Sequence, residues 1–148
     1  GVFFLESFTA SEIKAFPSKT YTLENGPSGK ALCIANPDAS KSLNTVALLP
    51  VEAMRGKKVT LKARVRAENV SVPPKSYNGC KFMLVITKDD GKRDYPQAPL
   101  KVGTWDWQDA TFTVDIPANA TKLELTLGLE LSSGKLWFDE LRVADAGK

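Results

Sequence analysis

Apolar and polar residues alternate with a period of two along most of the chain. Val59, Leu61, Ala63, Val65 and Ala67 alternate with Thr60, Lys62, Arg64 and Arg66. Phe112, Val114 and Ile116 alternate with Thr111, Thr113 and Asp115, and Leu123, Leu125, Leu127, Leu129 and Leu131 with Glu124, Thr126, Gly128 and Glu130. Each run predicts a strand with one face in a core and the other outward, because successive strand side chains point to opposite sides. The stretch Lys81–Thr87 is apolar on both faces and predicts a central strand whose second face is covered by a loop. Weaker strand patterns lie at Val2–Phe8, Thr20–Leu23, Ala31–Asn36, Asn44–Leu49, Leu100–Val102 and Leu136–Val143.

Turn chemistry separates these runs. Asp89-Asp90-Gly91-Lys92 and Ser132-Ser133-Gly134-Lys135 read as hairpin turns in which glycine supplies a positive φ. Pro73-Pro74 forces an extended break, and Ile116–Ala120 turns the chain between strands. Helix is scarce: Pro50–Gly56 offers a turn or two, and Ser11–Phe16 a second short candidate. About ten short strands with few helical patterns predict an all-β fold, an antiparallel β-sandwich of two sheets. The long loops at Asn69–Gly79 and Gly91–Asp106 favour a jelly roll. The expected core holds Leu61, Val65, Phe82, Leu84, Phe112, Val114, Leu125, Leu127 and Phe138.

The 148 residues fit one domain, expected over 1–143, with 144–148 reading as the start of a linker. The opening Gly1-Val2-Phe3-Phe4-Leu5, without Met or a basic leader, is expected of a mature or excised fragment. Twenty basic against 17 acidic residues leave a net charge of +3, which gives no electrostatic case for nucleic acid. No apolar run approaches the ~18 residues of a membrane span. The chain has no histidine, which excludes Ser-His-Asp and Cys-His catalysis and every His-ligated metal. Cys33 and Cys80 form no metal-binding pair of close spacing; they read either as one disulfide, suiting a secreted protein, or as two buried free thiols.

The ending Ser133-Gly134-Lys135-Leu136-Trp137-Phe138-Asp139-Glu140-Leu141-Arg142-Val143 resembles the last strand of jelly-roll carbohydrate-binding modules and related ancillary domains of bacterial cellulases and other glycoside hydrolases. Tyr77-Asn78-Gly79-Cys80-Lys81-Phe82-Met83-Leu84, Gly103-Thr104-Trp105-Asp106-Trp107-Gln108 and Leu127-Gly128-Leu129-Glu130 are similar to further segments of those families. The resemblance implies a monomeric, secreted or cell-surface, non-catalytic module. It would bind plant cell-wall polysaccharide, a β-glucan or hemicellulose, beside a catalytic domain in the same polypeptide. The rival from another class is a structural domain that packs on its catalytic neighbour without binding sugar. An enzyme using Lys or Tyr as base ranks third. The sequons Asn69-Val70-Ser71 and Asn119-Ala120-Thr121 would matter only in a eukaryotic secretory route.

A pyranose needs a flat apolar platform for its C–H face and polar groups for its rim of hydroxyls. Trp105, in a Gly- and Thr-rich loop, is the expected platform, with Tyr95 and Tyr77 as further exposed rings and Gln97 as an amide beside Tyr95. Trp107 is expected to cap one end of the sandwich and Trp137 to be core or half-core. Trp105 and Trp107 share parity and would face one side unless a bulge intervenes. A second candidate is a concave sheet presenting Arg64 and Arg66 together with Glu130, if their strands are neighbours. Related families often hold one structural Ca²⁺; the matching positions are Glu6 and Asp139, with backbone carbonyls near Gly29 and Lys30 completing an oxygen shell.

Overall fold

A computed structural model describes residues 1–146. Strand accounts for 59% of the described residues and helix for 3%. The elements are β1 (Val2–Glu6), β2 (Thr22–Gly26), β3 (Gly29–Asn36), β4 (Leu43–Leu48), α1 (Val51–Met54), β5 (Lys58–Val70), β6 (Gly79–Lys88), β7 (Arg93–Asp94), β8 (Gly103–Asp115), β9 (Ala120–Glu130) and β10 (Gly134–Asp145). A six-stranded antiparallel sheet runs β2-β3-β10-β5-β8 with β1 also on β10, and a four-stranded sheet runs β4-β9-β6-β7. They face each other as a β-sandwich. Among the described residues, consecutive strands pair directly only at β2-β3 and β6-β7; β1 and β2 share the six-stranded sheet without pairing, and every other step from strand to strand crosses between the sheets.

The long alternations fold as their pattern dictates. Val59, Leu61, Ala63, Val65 and Ala67 of β5 and Leu123, Leu125, Leu127 and Leu129 of β9 all point into one core. Phe82 is central, edge-on to Phe112 at 5.2 Å and to Phe138 at 6.5 Å between ring centroids. Phe112 and Val114 are only half-buried, because β8 is the edge strand and its inner face is covered on one side. Met54 of α1 is among the fully buried side chains of the same core. No helix among the described residues is long and apolar enough to cross a membrane.

Several local expectations change. The Asp89–Lys92 turn is a hairpin, with Gly91 at φ 82° and its N–H bonded to the Lys88 carbonyl. Ser132–Lys135 is not: it carries the chain from β9 in one sheet to β10 in the other. Residues Leu100–Val102 form no strand; β6 pairs with β9 on one side and with the two-residue β7 on the other. Ser11–Phe16 is turns rather than helix. Where a linker was expected to start, Ala144 and Asp145 complete β10 and pair with β5; Gly147 and Lys148 lie outside the described residues.

On one edge of β10, β3 pairs with residues Gly134–Phe138, and β1 takes over from Leu141. Between them β10 carries a bulge, with Asp139 opposite Arg64 and Arg142 opposite Lys62. Glu140 at φ 50° absorbs the extra residue. The bulge switches the inward parity from Leu136 and Phe138 to Leu141 and Val143. Both cysteines are free and buried, Cys33 on the outer side of the six-stranded sheet and Cys80 toward the core from the other.

Candidate functional site

The outer face of the six-stranded sheet holds Arg64 and Arg66, and the structure spends them internally. Arg64 Nη1 donates to Asp109 Oδ1 at 3.1 Å, and Lys62 lies 3.8 Å from Oδ2. The Arg64 hydrogen bond and the Lys62 charge hold the Asp109 carboxyl below its usual range. Arg66 stacks its guanidinium 4.4 Å from the centre of the Trp137 ring. Trp137 Nε1 donates to Glu24 at 3.2 Å, and the ring packs on Ala31 and Cys33 with Trp107 against them. Trp107 is thus part of an outer-face cluster rather than a cap on the sandwich.

Trp105 is not the exposed platform the sequence predicts. Val65 pairs with Gln108 but Ala67 with Trp105, so β8 has two residues, Asp106 and Trp107, where β5 has Arg66. This bulge puts the two tryptophans on opposite faces. Trp105 is half-buried against the core, with Nε1 donating to the Lys101 carbonyl at 3.1 Å. Nor do Arg66 and Glu130 share a surface. Their strands, β5 and β9, belong to different sheets.

Glu130 instead joins Tyr77, Tyr95 and Gln97 on the outer face of the four-stranded sheet. Beyond β7 the chain returns along β6: Leu84 N–H bonds to the Pro96 carbonyl at 2.9 Å and Ala98 N–H to the Phe82 carbonyl at 3.0 Å. Gln97 therefore sits opposite Met83 and extends the sheet. Cross-strand register gives successive outward rows: Asn44, Gly128 and Lys81; then Val46, Thr126, Met83 and Gln97; then Leu48, Glu124 and Val85, with Tyr95 two residues before Gln97. The rows from Lys81 to Val85 span about 13 Å of strand. Tyr77 and Tyr95, 66% and 53% exposed, flank opposite ends of this span.

The floor of this face is unusual for an outer surface. Lys81 is only 4% exposed, and Thr126 and Met83 are buried as well. Lys81 Nζ donates to the Tyr77 carbonyl and to Gln97 Oε1 at 2.9 Å, and stands 3.7 Å from Glu130 Oε1. Asn78 Nδ2 donates to the same Glu130 oxygen at 2.5 Å. Beside them Tyr77, Asn78, Gln97 and Leu100 line a cavity of about 230 Å³. The sequence alone gives Lys81 and Asn78 no functional role, though its alternation places Thr126 on the outward face beside Glu130. The available signal was Lys81 itself, a charge at the start of a strand otherwise apolar on both faces.

Asp139 lies at the β10 bulge, fully buried. Ser28 Oγ donates to its Oδ2 at 3.1 Å and Glu140 N–H to its Oδ1 at 2.8 Å. Among the described residues no ion pair to it is formed. Glu6, the last residue of β1, accepts the Phe8 N–H at 2.9 Å, and Lys30 pairs with Asn25 in the β2-β3 hairpin. Oxygen donors at a buried, uncompensated carboxylate suit a hard cation. Among the described residues, however, no three acidic or cysteine side chains converge, so side chains alone do not make a metal site and carbonyls would supply most of the ligands.

No family model matches the chain, and no curated protein matches it. Solved structures do share its fold. The C-terminal family 22 carbohydrate-binding module of Clostridium thermocellum Xyn10B is 17% identical at a TM-score of 0.71, covering 99% of this chain and 96% of its own. A xylan-binding domain of family 22 is 16% identical at 0.72, covering 100% and 97%. The CBM22-1 xylan-binding domain of Paenibacillus barcinonensis Xyn10C is 12% identical at 0.65, covering 100% and 96%. The enzymatically active domain of a bacteriophage CBA120 tailspike protein also contains the fold: 11% identity, a TM-score of 0.65, and coverage of 85% of this chain but 18% of that one. At these identities the likeness establishes the sandwich architecture.

Proposed function

We propose that this chain is a non-catalytic module that binds a plant cell-wall polysaccharide along the outer face of the four-stranded sheet. A xylan-type hemicellulose is the first candidate, on the likeness to the xylan-binding modules above. The carrying observation is the outward-facing yet buried polar floor, Lys81 and Thr126, flanked by two exposed tyrosines and bordered by Glu130 and Gln97. Rings supply stacking surface for the C–H faces of a sugar, and the carboxylate and amide meet its hydroxyls.

The face is poorly suited to hydrolysis. Its carboxylates, Glu130 and Glu124, are six residues apart on one strand, about 20 Å. Glycosidase pairs stand roughly 5–9.5 Å apart. Binding instead raises the local substrate concentration for a hydrolase domain in the same polypeptide outside the cell. The same reading assigns one structural Ca²⁺ to Asp139 and Glu6 with carbonyls of the β2-β3 hairpin, including that of Lys30.

Native affinity electrophoresis against xylan, xyloglucan, mixed-linkage β-glucan and mannan tests the proposal. Retardation by xylan is expected. Migration unaffected by all four would leave a structural ancillary domain.

A further inference from the structure

Resting on that reading, we infer that Lys81 is the positioning residue of this face, fixing Gln97 as a hydrogen-bond donor and Glu130 as an acceptor toward a neutral sugar. A buried ammonium is costly, and an apolar side chain of similar length would fill the same slot more cheaply. Lys81 is nonetheless on the outward face, with only 5% of its side chain accessible.

Its two hydrogen bonds and one ion pair reach three separate segments: the Tyr77 carbonyl from the loop before β6, Gln97 Oε1 from the segment after β7, and, at 3.7 Å, Glu130 Oε1 from β9. An ammonium has three donors and no acceptor, so each of these partners must present oxygen. For Gln97 this settles the amide. Its Oε1 is taken by Lys81, and its Nε2 is left with weak partners, Met83 Sδ at 3.8 Å and the Tyr95 carbonyl at 3.4 Å. For Glu130, Oε1 is shared by Lys81 and Asn78, while Oε2 makes no hydrogen bond among the described residues. The open valences are therefore one amide NH₂ and one carboxylate oxygen, a donor and an acceptor that match adjacent sugar hydroxyls. With two of its donors bonded to Tyr77 and Gln97 and its charge facing Glu130 Oε1 at 3.7 Å, Lys81 is already satisfied within the protein rather than set out to hold an acidic sugar, and the open carboxylate oxygen repels one.

The test compares wild type, Lys81→Met, Glu130→Gln and the double variant. Lys81→Met should fold with an unchanged or higher melting temperature, since Glu130 is 36% exposed and water can solvate it. Without ligand, side-chain nuclear magnetic resonance should show the Gln97 carboxamide losing its single orientation while the backbone signals of β6 and β9 stay in place. With xylohexaose, Lys81→Met should bind roughly tenfold more weakly, and the double variant no more weakly than Lys81→Met alone. Gln97→Glu, which keeps the acceptor for Lys81 but loses the donor, should bind more weakly at undiminished stability. Oligogalacturonate should not bind the wild type.

An ordered Gln97 amide in Lys81→Met, undiminished binding by that variant, or additive losses in the double variant would each overturn the positioning role. Oligogalacturonate binding that vanishes in Lys81→Met would make Lys81 a ligand contact instead. Failure of wild type to bind xylohexaose or any of the four polysaccharides would sink the proposed function and leave the ligand-free resonance measurement to decide the role of Lys81.

Discussion

Replacing Gly128 by alanine is the severest small change the candidate face can suffer. Gly128 lies in its outermost row, between Asn44 of β4 and Lys81 of β6. A Cβ built there would overlap the Leu43 carbonyl oxygen and stand 2.7 Å from both Cα and Cβ of Asn44. The nearest obstacles are backbone, so no side-chain rotation relieves them, and β4 must move away from β9. Overpacking costs about 1–3 kcal/mol. Weakening one or two ladder hydrogen bonds adds about 1 kcal/mol each. A total near 3–4 kcal/mol lowers the melting temperature by roughly 6–16 °C for a chain of this size. Urea unfolding of wild type and Gly128→Ala measures the difference directly, and glycan affinity should fall with it because the floor of the face is displaced. A variant within about 0.5 kcal/mol of wild type would show that β4 does not approach β9 as described, and the row Asn44-Gly128-Lys81 would lose its geometry.

Trp105→Ala should destabilise by about 2–4 kcal/mol, because it removes a half-buried ring from the core, with the affinity of the surviving folded protein unchanged; Arg66→Ala should likewise spare affinity, both read by calorimetry with xylohexaose. If calcium is held at the β10 bulge, excess chelator lowers the melting temperature of wild type and has no effect on Asp139→Ala, whereas a wild-type curve indifferent to chelator rejects the metal. Burial, helped by Glu24, pushes the Cys33 thiol to about 12, and burial pushes Cys80 to about 11. Unfolded thiols ionise near pH 9, so the unfolded state binds fewer protons above that point, and this contribution to stability is full below pH 9 and declines toward pH 11–12. Thiol-labelling at pH 8 should accordingly be slow in the folded protein and rapid at both sites in denaturant.

The strands of this protein are legible because their signal is local. Five alternating residues in β5 or β9 identify an inner and an outer face without reference to any other segment. What the pattern cannot carry is non-local. Gly134 reads as a turn glycine, and its φ of 124° agrees, yet nothing nearby says that β10 joins the opposite sheet from β9. Trp105 and Trp107 share parity in the sequence and diverge in space because a bulge opposite Arg66 shifts the register by one. Arg66 and Glu130 seemed able to meet only while β5 and β9 were free to be neighbours. Tyr77, Tyr95, Gln97 and Glu130 come from two loops and a strand, and what unites them is the return of the chain along β6 at Pro96–Ala98, which has no periodic signature.

Titration of isotope-labelled protein with xylohexaose, followed by backbone and side-chain nuclear magnetic resonance, addresses the binding face most directly. The largest shift changes are expected at Asn44, Val46, Tyr77, Lys81, Met83, Tyr95, Gln97, Thr126 and Glu130, all on the outer face of the four-stranded sheet or its rim. Changes centred on Arg64, Arg66, Trp107 and Trp137, or no changes with this ligand and the four polysaccharides alike, would contradict the account.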